Sequence, residues 1–105
     1  MQSFNGRWRI TWMKMWPQDY VDIIEPGYVQ FSGNEGELLF GTVHGWMDVR
    51  YSVDKRRAEF SWQGDDEGEE CSGRGWVTLC DRDNAEGELF IHMGDESAMT
   101  LRMEP

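Results

Sequence analysis

Basic residues are scarce in this 105-residue chain: ten Lys and Arg stand against twenty Asp and Glu, a formal net charge of −10. Such a field repels phosphate backbones, so direct nucleic-acid binding is disfavoured even though aromatic side chains for base stacking are present. Cysteine and histidine are scarce as well. Two of each, widely scattered, make no zinc-ligand spacing, and no metal or other cofactor is expected. No apolar run approaches roughly 18 residues, which argues against a membrane helix. The start MQSFNGRWRI lacks the charged region, apolar run and small-residue cleavage site of a secretory leader. A cytoplasmic home is the expectation, with Cys71 and Cys80 as reduced thiols. Gly/Ser linkers and long internal repeats are missing too, so residues 1–105 read as a single domain.

Aromatic residues, by contrast, make up 13% of the chain, and three of its six tryptophans fall within GRWRITWMKMW, residues 6–16. Trp8, Trp12 and Trp16 fit both a strand face and a helical stripe; bounding Gly6 and Pro17, with the aromatic and β-branched content, favour a strand. Trp8, Ile10 and Trp12 are then expected in the core. Proline numbers only three, and two of them bracket PQDYVDIIEPG, which reads as one short helix: Pro17 at its start, acids in its first turn, Pro26-Gly27 as its stop. Tyr20, Ile23 and Ile24 would plug one end of the sheet.

Short alternating segments follow at close spacing. YVQFS (28–32) turns through 33–36 into ELLFGTV (37–43), and WMDVRYS (46–52) turns through 54–56 into AEFSWQ (58–63); RGWVTLC (74–80), ELFIHM (88–93) and AMTLRME (98–104) complete the series. A His44-Gly45 hairpin turn would put Leu38, Phe40, Met47, Val49 and Tyr51 on one face. About eight strands with tight turns predict an all-β antiparallel meander, closed as a small barrel or pressed into a sandwich, with one short helix after the first strand.

Gly6-Arg7-Trp8 in the first strand, with Arg102 in the last, resembles the calycin signature of lipocalins and avidins. The resemblance implies a barrel in which Trp8 closes one end beneath Arg102, and it brings in a rival function, the binding of a small apolar ligand. The strings GRWRI, GWMD, SGRGW and HMGDES are also similar to small uncharacterised bacterial proteins, a likeness that carries no function with it.

The negative charge is unevenly spread. Residues 1–17 carry +3, 18–49 carry −6, 50–57 carry +3, and from Ala58 onward thirteen acids face three bases. The sharpest feature is a predicted loop, GDDEGEECSG (64–73), with Asp65, Asp66, Glu67, Glu69 and Glu70 within six positions. It lacks the acid spacing and the central glycine of a calcium loop, and DRDNAEGE (81–88) departs from that pattern as well. His92, Asp95 and Ser97 sit too close together in sequence, around a Gly94-Asp95 turn, to read as a hydrolase triad.

The expectation is therefore a non-catalytic binding protein whose acidic residues 65–70 dock a basic protein partner, in the manner of an inhibitor, an immunity or antitoxin-like factor, or a mimic of nucleic-acid charge. The alternative is a ligand-binding barrel lined by Trp8, Trp12, Trp46 and Phe60, with Asp48 and Arg50 as polar groups. An enzyme built on Asp48, Arg50 and His92 is the weaker third option.

Overall fold

The computed structural model describes residues 4–105, and its strands form a closed eight-stranded antiparallel barrel in which every strand pairs with its neighbours in sequence and the last closes on the first. The strands are β1 (Gly6–Met13), β2 (Tyr28–Ser32), β3 (Glu35–Phe40), β4 (Val43–Tyr51), β5 (Arg57–Asp66), β6 (Glu69–Leu79), β7 (Asn84–Ile91) and β8 (Glu96–Met103); the helix α1 (Gln18–Val21) lies between β1 and β2. The sandwich is thereby set aside. Among the described residues no helix is long and apolar enough to cross a membrane.

Alternation along each strand fills the barrel. Trp8, Ile10, Phe31, Leu38, Phe40, Val49, Val77, Leu89, Met99 and Leu101 are all at most 2% exposed, so no water-sized space is left against them. Large inward side chains face glycines across the ladders: Trp62 is opposite Gly73, Phe60 opposite Gly75, and Met47 opposite Gly36. A Cβ on Gly75 would lie 2.6 Å from Phe60 Cζ, which is why that position carries none. The same pairing of large with small lets so narrow a barrel hold so many rings.

The two ends are closed by different devices. At one, Phe4 packs against Phe31 and Tyr51, at ring separations of 5.2 and 5.6 Å, and its carbonyl accepts the Trp8 indole N–H at 2.9 Å. Trp8 is buried as expected, but Arg102 is not its lid. In the β1–β8 register Trp8 faces Met103 while Arg102 faces Arg9 on the outside, where its guanidinium donates to Asn84 Oδ1 at 3.4 Å. Strand alternation separates the two side chains, and Phe4 occupies the place expected for Arg102.

At the other end α1 fills the gap where β1 and β2 part. The Ile10 N–H donates to the Gly27 carbonyl, the Gln18 amide donates to the Ile10 carbonyl, and Asp22 takes hydrogen bonds from Gly27 N–H, Gln18 and Arg9. Val21 is buried, and Trp16 packs against Phe40 with tilted rings 5.0 Å apart. Tyr20 packs against Gly41, whereas Ile23 and Ile24 are 62% exposed, because the helix stops after a single turn before reaching them.

Two register features differ from expectation. A bulge between Ile10 and Trp12 turns both Thr11 and Trp12 outward and returns Met13 to the core, so Trp12 is 48% exposed. The β3–β4 turn is Gly41-Thr42, not His44-Gly45: Phe40 pairs with Val43, and Gly41 adopts φ 59°. Moving a two-residue turn by three positions shifts the register by an even number. Leu38, Phe40, Met47 and Val49 therefore stay inward together, and Tyr51 is half-buried at the rim.

The acidic end and its tryptophan groove

In an up-and-down meander all odd-to-even connections share one end of the barrel. The β5–β6 and β7–β8 turns consequently lie together, and with them Asp65, Asp66, Glu67, Glu69, Glu70, Asp95 and Glu96. The opposite end is mixed: the β4–β5 and β6–β7 turns put Lys55, Arg56, Arg57 and Arg82 there beside Asp54, Asp81 and Asp83. Negative charge unbalanced by bases is thus concentrated at one end of the barrel, about 33 Å from the other along β5.

The acidic stretch is not a loop. The β5–β6 ladder continues through Gln63↔Ser72 and Gly64↔Cys71 to Asp66↔Glu69, and the turn is Glu67-Gly68 alone, both at positive φ (54° and 88°) as a tight hairpin of this twist requires. Carboxylates therefore meet across the strands: Asp65 faces Glu70 and Asp66 faces Glu69. Like charges directly opposite destabilise a hairpin. Asp66 accepts a hydrogen bond from Thr42 Oγ1 at 2.6 Å, but among the described residues none of the five forms an ion pair. Three of the ion pairs that do form hold Asp22, Glu25 and Glu37, all in the first half of the chain.

Beside this hairpin, on the outer face of β4, Trp46 is 59% exposed. It pairs with Glu37 on β3 and Gln63 on β5, and its ring meets the edge of His44 at 4.9 Å. His44 is itself held. Its Nε2 lies 2.5 Å from Glu37 Oε2, the same oxygen that accepts the Tyr28 hydroxyl at 3.0 Å, and Tyr28 carries the Arg7 guanidinium 3.8 Å above its ring. Burial pushes the Glu37 carboxyl up, but the hydrogen bonds from His44 and Tyr28 outweigh it and leave the group below the usual range. Burial, then the Glu37 carboxylate, push the Tyr28 phenol up to about 12. Sequence reading missed this chain of contacts, because Tyr28, Glu37 and His44 meet only once the registers of three strands are fixed.

A shallow groove of about 470 Å³ runs from Trp46 across Gln63 and Gly64 to Glu70, Cys71 and Ser72. Burial first, then Asp66 and Asp65, push the Cys71 thiol up, so it is a poor nucleophile there. The other predicted groups do not converge. Trp8 and Phe60 are in the core, while Trp12, Trp46, Asp48 and Arg50 are outside, so the six residues expected to line a ligand cavity share no interior one; Asp48, Arg50 and the edge of Phe60 line a shallow outer depression, and Trp46 lines the groove. Asp48 and Arg50 form a surface ion pair at 2.5 Å. Ser97 is buried, accepting from Met15 N–H and donating to the Ala98 carbonyl, while His92 is exposed at the β7–β8 turn. Asp81 accepts the backbone N–H groups of Asp83 and Asn84, which makes its segment a side-chain-capped turn. Compared with known proteins, the chain matches no protein-family model, no curated protein and no solved structure.

Proposed function

We propose that this is a non-catalytic, cytoplasmic binding protein that docks a basic protein partner on the acidic end of its barrel. One observation carries the reading: Asp65 and Asp66 face Glu70 and Glu69 across a hairpin without a cation between them. Apart from the hydrogen bond that Asp66 takes from Thr42, folding gains nothing from opposing these carboxylates, whereas a partner that brings Lys or Arg would relieve the repulsion and be steered by the field. Inhibitors, immunity or antitoxin-like factors and mimics of nucleic-acid charge all work by such docking. The calycin likeness extends to strand number and meander order. A ligand-carrier role draws no support from an interior occupied by Trp8, Phe31, Phe60 and Trp62.

The test is affinity capture from the source cell with the wild-type protein and with a variant carrying D65N, D66N, E67Q, E69Q and E70Q. A basic protein retained by the first and lost by the second supports the reading. Equal retention of the same proteins by both would overturn it.

A further inference from the structure

We infer that the groove between Trp46 and Glu70 is the seat for an arginine side chain of the partner. This inference rests on the docking role proposed above and says which part of the surface is read.

Trp46 stands in the middle of a long strand, where most of its neighbours on the inner face are buried, yet more than half of its own surface is open. On one side its ring meets His44 at 4.9 Å, and Glu37 holds His44 in place. An exposed indole braced on one side is a surface on which a flat cation can stack. The register places Trp46, Gln63 and Ser72 in one row across three strands, so the far wall of the groove is two strand spacings, about 10 Å, from the tryptophan. That far wall carries the Glu70 carboxylate, and the floor between them is Gln63 and Gly64, with no cation among the lining residues.

The chemistry of these walls selects the occupant. Indole offers a negative π face, Glu70 offers an unpaired carboxylate, and Gln63 offers an amide oxygen; an anionic or purely apolar group would desolvate Glu70 without compensation. A guanidinium satisfies all three at once, lying flat on Trp46 while its fork donates to Glu70, and a lysine ammonium does so less well. The protein itself uses the stacking elsewhere: Arg57 lies 4.4 Å above Trp76 and Arg74 4.3 Å above Phe90. Trp46 carries no such arginine of its own.

The experiment titrates a hexa-arginine peptide and a hexa-lysine peptide into the wild-type protein, W46A, W46F, a W12A control and the five-amide hairpin variant, with thermal melting confirming that each is folded. The inference predicts that wild type prefers arginine to lysine, that W46A loses about tenfold in arginine affinity, and that W46F keeps most of it. W12A, which removes another half-exposed tryptophan outside the groove, leaves binding unchanged. If W46A binds as wild type does while the five-amide variant does not, the arginine seat is refuted and the acidic-end reading stands. If wild type binds neither peptide at low salt, both fail.

Discussion

Asp65 and Glu70 stand directly opposite each other on the outer face of the β5–β6 hairpin, two carboxylates held in register by ten successive backbone pairs. Reversing one of them should help the fold. E70K would turn the opposed pair into an attractive one and raise stability by about 0.5 kcal/mol, read as a higher melting temperature at low salt that shrinks as salt is added. D66A should go the other way, by at most about 1 kcal/mol, since it leaves the Thr42 hydroxyl only its longer contact with the Tyr20 hydroxyl, at 3.2 Å. Equal behaviour of the two variants would show that these carboxylates are not energetically distinct.

The β3–β4 turn depends on one glycine. Gly41 has φ 59°, and a Cβ there would lie 2.1 Å from Tyr20 Cε2, so G41A meets both backbone strain and the ring that anchors α1. We expect a loss of at least about 1 kcal/mol. Adding Y20A should remove the clash but not the strain, so the double variant should be more stable than the sum of the two single losses. Strict additivity, measured by denaturant unfolding, would argue against that contact.

G75A tests the pairing of large with small side chains inside the barrel. Its methyl group would meet Phe60 Cζ at 2.6 Å and the Glu88 carbonyl oxygen at 2.7 Å, and overpacking of this kind costs about 1–3 kcal/mol. F60L should recover part of it by giving up the ring. Failure of F60L to recover any stability would place the strain in the backbone instead.

The Tyr28–Glu37–His44 contacts have a pH signature. The Glu37 pKa is lowered in the folded protein, so the stability it contributes is present above its ordinary value of 4.5 and is lost as the pH falls through the folded value. E37Q should therefore flatten the acid limb of the stability profile. Tyr28 is raised from 10.0 to about 12, so its contribution is full below pH 10 and is lost as the pH climbs towards 12. In an ultraviolet difference titration, Y28F should remove the phenol that ionises near pH 12. An unaltered alkaline titration in Y28F would mean that burial and Glu37 do not hold this phenol neutral to so high a pH.

Period-two alternation made the eight-stranded meander legible, though not its closure into a barrel, and it did so even where the turn was misplaced: an even register shift leaves Leu38, Phe40, Met47 and Val49 on the same face. The pattern fails where the chain breaks its period. The bulge at Thr11 exposed Trp12, and nothing in the spacing of GRWRITWMKMW marks it; it shows only in the β1–β8 register, where Thr11 and Thr100 share a hydrogen bond between their hydroxyls. Residues 64–73 read as a loop because carboxylates and glycines are the residues of loops, yet Glu67-Gly68 suffices as a turn and the ladder runs to its edge. The acidic site was thus visible as composition and invisible as geometry. Trp46 and Glu70 become neighbours across β5 only once both flanking registers are known.

The most direct test of the docking role is the association rate of the wild-type protein with an arginine-rich peptide, followed by stopped flow from low to physiological ionic strength, beside the five-amide hairpin variant. The acidic end predicts a fast rate that falls steeply with salt in the wild type and a slower rate with a clearly shallower salt slope in the variant. Identical rates and identical salt slopes in the two proteins would contradict it.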